Sequence, residues 1–282
     1  MDGVIAALEE VEAVECKPYI NSMKKGQAKE RAAARRSKRL GLPHTSTSTG
    51  GSCSDRKVSF QFGIFNHPGP RDHPWISRDT LQVALPRGAK NRSQKIDKIL
   101  TLCKALDNML SGRVQCLVRR LSPTLHEQYN TFSRLLKSTE GVEKFDLDDR
   151  DVAGGEYTDK WPYLRFGNLG TTIAMGPEQS EKMHLNIGDH TELSTVLMVL
   201  GKEGEDWDHS NGAGDLFLPT LGLSIPLFPG DVFIFYSSLI PHQVKLVPEG
   251  EKRKRVVAAV YTCAKTRSNL EEKDENGKIQ QL

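Results

Sequence analysis

The feature that most constrains this chain is a series of short apolar runs between His184 and Tyr261: STVLMVL, DLFLPTL, LSIPLF, DVFIFY and RVVAAVYT. They are rich in Val, Ile, Phe and Tyr, and Gly, Pro, Asn or Asp separates one from the next. Runs of that length and punctuation predict strands of an antiparallel β structure. With 282 residues the chain can bury a sizeable core around them, as one large domain or one domain with appendages.

The flanking sequence predicts helices beside those strands. In Ser93 to Leu110, residues Ile96, Ile99, Leu100, Cys103, Leu106, Met109 and Leu110 fall on one face at helical period, and Gly112 is the expected stop. Ser122 and Pro123 read as the cap and first turn of a second helix, with Leu125, Tyr129, Phe132 and Leu136 as its inner stripe. Residues 56–66 read as a strand of alternating polarity, and Trp161 to Gly176 as a pair of strands. Residues 1–15 and 24–40 can each form a helix, neither with enough apolar surface to fold alone. Pro43 to Asp55 is a Ser/Thr/Gly linker. The expected division is therefore a basic, largely flexible extension over 1–55, a domain over 56–266 and a polar tail over 267–282.

Composition narrows the class. No apolar run is long enough to predict a membrane span, and the acidic N-terminus, MDGVIAALEEVEAVE, does not fit a secretory signal. Five scattered cysteines without a CxxC pair predict reduced intracellular thiols, each read as a small buried hydrophobe, and no disulfide frame or zinc knuckle. Net charge is only +3, but Lys24 to Arg39 holds eight basic residues against one acid, Glu30. That run fits a nuclear-import signal, a phosphate-binding arm or a solvated helix.

A histidine precedes the first apolar run, a second follows the fourth, and an arginine opens the fifth. That order suits a mononuclear Fe(II) site that uses dioxygen and a 2-oxo acid. Such a site takes two imidazoles and a carboxylate on one face of the metal, with a cation for the far carboxylate of the co-substrate. His184, His242 and Arg255 fill three of those roles. The fourth position, two residues after His184, is Asn186, a neutral amide where a carboxylate is expected, which predicts weaker metal binding and turnover. Asp189 is close enough to stand in, and His190 with Glu192 forms a second His-x-acid pair, giving the alternative register His190, Glu192, His242. Arg165 reads either as a contact for the other end of the co-substrate or as a surface strand residue. Trp161 and Tyr163 read as core or as base-stacking platforms, His126 and His209 as solvated, and Lys252 to Lys254 as a phosphate contact or a solvated turn.

The stretch HLNIGDHTELSTVLMVL resembles the metal-binding strand of the TET/JBP dioxygenases, which oxidise methyl groups on DNA bases. The distance from His184 to Ser194-Thr195-Val196 fits that family and favours the His184 register. GDVFIFYSSLIPHQV resembles the strand leading to the second metal histidine, and KRVVAAVYT the strand whose opening arginine grips 2-oxoglutarate. GDLFLPTLGLSIPLFPGD is similar to a strand pair frequent in fungal members. The resemblance spans roughly Trp161 to Thr262, and departs from the family at Asn186 and at Val257, where a hydroxyl residue is usual. It implies an α+β fold with a double-stranded β-helix (jelly-roll, cupin-like) core braced by helices. It further implies Fe(II) on His184, Asn186 and His242, 2-oxoglutarate on Arg255, and flipped-out methylated DNA as partner; Arg165 stays the second candidate contact for the co-substrate, and the basic run makes the nucleus the expected location. The implied reaction is oxidation of 5-methylcytosine. N6-methyladenine demethylation and a catalytically impaired, nucleic-acid-binding barrel are the neighbouring alternatives, and a small-molecule or protein-directed oxygenase is a further one.

Overall fold

The computed structural model describes residues 2–14, 16, 60–65, 75–77, 79–82, 89, 91–138, 164–176, 183–201, 207–245, 247, 255–264 and 266. The basic run over 24–39, the linker, Trp161 and Tyr163, the turn over 252–254 and the polar tail lie outside these.

Each of the five apolar runs yields a strand. In chain order the strands are β1 (Phe60–Phe65), β2 (Trp75–Ile76), β3 (Thr172–Gly176), β4 (Thr195–Leu200), β5 (Leu216–Leu218), β6 (Leu223–Ile225), β7 (Val232–Phe235), β8 (Gln243–Val244) and β9 (Val256–Tyr261). They form two sheets, in the orders β2-β1-β3-β9-β4-β7 and β6-β5-β8, and their pairings are antiparallel. The helices are α1 (Asp2–Ala13), α2 (Arg92–Met109), α3 (Gln115–Leu121) and α4 (Pro123–Ser138). No helix among the described residues is long and apolar enough to cross a membrane.

β4 explains the layering. Its sequence, TVLMVL, lacks alternation because both of its faces are covered, and all six residues are buried. Val196, Met198 and Leu200 join the apolar layer that holds Ile96, Leu106, Tyr129 and Phe132 of the helices. Leu197 and Val199 face the other way, into a layer shared with Leu216 and Leu218 of the small sheet. Full burial of a Val, Leu or Met is worth about 1.5–3 kcal/mol, so this one strand anchors both layers. The Tyr129 hydroxyl ties α4 to the entrance of β4, 2.6 Å from Ser194 Oγ and 2.8 Å from its carbonyl.

Three expectations are corrected. Gly112 does not stop the helix that begins at Arg92: the chain passes through a π turn, Leu110–Val114, and continues as α3. Leu110, Val114 and Val118 keep the inner stripe going across the glycine, and their burial outweighs a cost of about 1 kcal/mol for Gly in a helix. Helix α1 is docked rather than part of a loose extension. Val4, Ala7 and Val11 are buried in the helical layer, which supplies the packing that a helix of this length lacks in isolation. The described part of Trp161 to Gly176 holds one strand, β3, because Phe166, Gly167 and Asn168 take positive φ and make a tight turn before it.

Gly167 and Gly112 therefore make opposite predictions. At Gly167 (φ +67°) a Cβ would sit 2.8 Å from the Leu110 carbonyl carbon. Gly167→Ala is expected to cost about 2 kcal/mol or more, from strain at positive φ together with the clash. At Gly112 a Cβ meets nothing within 4 Å, so Gly112→Ala is expected to gain about 0.5–1 kcal/mol. Urea unfolding midpoints of the two variants check both signs.

Candidate functional site

The segment from His184 to His190 is tied to both sheets. At one end His184 forms an antiparallel bridge with His242, at the head of β8, and at the other Asp189 bridges Cys263, just past β9. The first bridge is reciprocal: His184 N donates to the His242 carbonyl (3.0 Å) and His242 N to the His184 carbonyl (3.1 Å). Residues directly opposite in an antiparallel pair present their side chains on the same face. The two imidazoles accordingly meet, with ring centroids 4.3 Å apart, and both line a cavity of about 460 Å³.

That cavity exists because two neighbouring strands carry small residues on its side. Ala174 of β3 pairs with Ala259 of β9, and both line it. Gln61, Thr195 and Tyr261 add polar groups to the wall, and its volume lies in the range of small-ligand sites.

The tautomer of His242 is fixed by its surroundings. Its Nδ1 lies 2.9 Å from the Ile240 carbonyl, which can only accept, so Nδ1 carries the proton and Nε2 keeps a lone pair. Burial, with a smaller contribution from the neighbouring His184, holds its pKa below the ordinary value, although the Ile240 bond opposes this. The neutral ring is thus favoured, and Phe235 meets it edge-on at 5.0 Å.

Asn186 lines the same cavity, its backbone fixed by Asn186 N donating to the Ser237 carbonyl at 3.0 Å. Asp189 lines it too, but its carboxylate is engaged. It accepts from Ser237 Oγ at 2.7 Å, from Thr195 Oγ1 at 3.5 Å and from the Asn186 side chain. Burial pushes this carboxyl up to about 6, against those hydrogen bonds and the nearby His184. Among the described residues no group of three His, Cys, Asp or Glu side chains could hold a metal ion. The donors at hand are therefore two imidazoles and the Asn186 amide oxygen, a set that fits a divalent cation with one neutral oxygen in place of a carboxylate.

The alternative register is not assembled. His190 N is bonded to the Thr262 carbonyl (2.8 Å), its Nδ1 accepts from Glu192 N (3.1 Å), and Glu192 is exposed. Arg165 is not brought to the cavity either. It is half-buried on the helical side, where its partner is Asp107 of α2, and burial lowers its pKa while Asp107 opposes that. Arg255 is only 1 % exposed, donates Nη2 to the Gly214 carbonyl at 3.3 Å, and lies 5.5 Å from the Trp207 ring centroid. It is not itself among the residues that line the cavity, but strand alternation puts it on the same face of β9 as Ala259 and Tyr261, which do.

His209, expected to be solvated, is instead half-buried between Trp207 (4.5 Å) and Phe228 (4.3 Å). Of the cysteines, Cys103 and Cys263 are buried, whereas Cys116 is exposed. Sequence reasoning missed Ser237 and Thr195. The available signal was a hydroxyl opening an otherwise apolar run and a Ser pair just ahead of His242.

No family model matches the chain, and no curated protein matches it. Among solved structures, a chain described as NgTET1 in complex with 5mC DNA is similar at 13% identity, over 79% of this chain and 70% of that one, with a TM-score of 0.42.

The imidazole pair makes a prediction of its own. His184→Ala and His242→Ala should each remove stoichiometric Mn(II) binding measured by titration calorimetry, while far-ultraviolet circular dichroism is unchanged. Stoichiometric binding retained in either variant would show that the pair is not the metal site.

Proposed function

We propose that this protein is an Fe(II)/2-oxoglutarate-dependent dioxygenase that oxidises methyl groups on DNA bases, with 5-methylcytosine as the first substrate to test. The observation that carries the reading is the His184–His242 bridge, which sets two imidazoles side by side in a ligand-sized cavity. The two facing sheets are read as the walls of a double-stranded β-helix.

On this reading His184, His242 and the Asn186 amide oxygen hold the iron. When bound, the metal supplies dioxygen activation coupled to decarboxylation of the 2-oxo acid. The chain's own residues do the rest. The Ile240 carbonyl fixes the His242 tautomer, and the small side chains of Ala174 and Ala259 leave room. On the sequence resemblance Arg255 is assigned the distal carboxylate of 2-oxoglutarate; it stands on the cavity-facing side of β9, packed by Trp207 and the Gly214 carbonyl. The base specificity rests on the sequence resemblance, and the charge run from Lys24 to Arg39 would supply DNA backbone affinity or nuclear import. N6-methyladenine is the neighbouring substrate. Asn186 favours one further reading, a barrel that binds nucleic acid with little or no turnover.

The deciding experiment is mass spectrometry of methylated duplex DNA after incubation with protein, Fe(II) and 2-oxoglutarate. Oxidised 5-methylcytosine with matching succinate is expected. DNA bound in a salt-sensitive way but left unchanged would favour the non-catalytic barrel, and succinate without any DNA binding a different substrate class. Ala259→Leu, which fills the cavity, and Arg255→Met should each weaken 2-oxoglutarate binding at least about tenfold, measured by calorimetry in the presence of Mn(II).

A further inference from the structure

The carboxylate that the metal-binding strand lacks at position 186 is present one step further back. Asp189 stands at the end of the tight turn that begins at Asn186, with Asp189 N bonded to the Asn186 carbonyl at 2.8 Å. Its side chain is buried, and the two hydroxyls that hold it, Ser237 Oγ and Thr195 Oγ1, are themselves buried and 2.6 Å apart. These bonds turn the carboxylate toward the hydroxyls, and it accepts from the Asn186 side chain as well.

A carboxylate only accepts, so it selects the orientation of the amide that faces it. Asn186 must offer its NH₂ group to Asp189, which leaves the amide oxygen directed away from that anion. An alanine, a serine or a reversed amide would not present the same donor. The buried anion also returns one negative charge to the neighbourhood of the imidazole pair, within reach of His184.

We infer that Asp189 is a positioning residue for the metal site: through its hydrogen bond it turns the Asn186 amide oxygen toward the cation shared with His184 and His242, and it supplies from behind the charge that Asn186 lacks. This rests on the metal reading proposed above. It also accounts for a neutral residue at a ligand position beside an acid held by three donors. Partners of this kind behind a ligand typically contribute about 10–100-fold to metal affinity.

The test moves the carboxylate between the two positions and reads Mn(II) affinity by calorimetry, with metal-free melting as a check on folding. Asp189→Asn should weaken Mn(II) binding at least about tenfold. The exchanged pair, Asn186→Asp with Asp189→Asn, should restore at least the original affinity, because the acid becomes a direct ligand and the amide its partner. Asn186→Asp alone should bind Mn(II) more tightly yet melt lower without metal, since two carboxylates then face each other. Ser237→Ala, which removes the shorter of the two hydroxyl hydrogen bonds to the carboxylate but keeps its charge, should weaken binding a few-fold and serves if Asp189→Asn does not fold. Unchanged affinity in folded Asp189→Asn or Ser237→Ala, or an exchanged pair no better than Asp189→Asn, would overturn the inference. No Mn(II) uptake by any form, Asn186→Asp and the exchanged pair included, would instead overturn the metal reading beneath it.

Discussion

The arrangement depends on two backbone hydrogen bonds, those exchanged between His184 and His242. Side-chain direction alternates along extended chain, so slipping this pairing by one residue would turn one imidazole out of the cavity. The register is held from both sides. Asn186 N is anchored on the Ser237 carbonyl, the Asp189–Cys263 bridge ties the other end of the segment to the end of β9, and His242 is braced by Phe235. Downstream, the segment runs directly into β4, the strand buried on both faces. The site is therefore an extension of the most firmly packed part of the core, and its geometry comes from the core's own register.

The large sheet has two distinct sides, and alternation along its strands decides which residue serves which. Phe62, Ile173, Val196 and Val260 face the helices and fill a layer of large side chains. Gln61, Ala174, Thr195 and Tyr261, one position away, face the cavity. A void next to a close-packed layer needs a reason, and the Ala174–Ala259 pair gives it: two adjacent side chains end at Cβ where Leu or Val would fill the space. The same economy at Gly214, where a Cβ would stand 2.5 Å from the Trp207 indole nitrogen, lets Trp207 pack beside Arg255.

What was legible in the sequence followed from local periodicity. The punctuation after each apolar run locates all five strands, and the inner stripes of α2 and α4 pack into the core wherever the structure describes them. What was not legible depended on contacts between distant segments. Gly112 reads as a stop until Val114 and Val118 are seen to have a layer to pack into. Helix α1 is too short and too weakly apolar to be placed without knowing that α2 offers it a surface. Arg165 precedes the His184 segment in sequence, but the tight turn at Phe166 to Asn168 lies on the helical side, where Asp107 carries the opposite charge. Ser237 and Thr195 looked like ordinary punctuation because nothing local connects them to Asp189.

The position of the acid separates two effects that a direct carboxylate ligand combines. On the proposed reading, a divalent cation and one buried carboxylate sum to the same charge whether the acid sits at 186 or at 189. The attraction of the cavity for an anionic co-substrate is then similar, because that long-range field depends on total charge and distance rather than on which atom is bonded. The short-range bond does differ, since an amide oxygen donates less charge to a cation than a carboxylate oxygen does. A site built this way keeps its pull on 2-oxo acids while loosening its hold on the metal. Asn186 by itself would therefore separate binding of the organic co-substrate from retention of the ion, without altering the fold that brings them together.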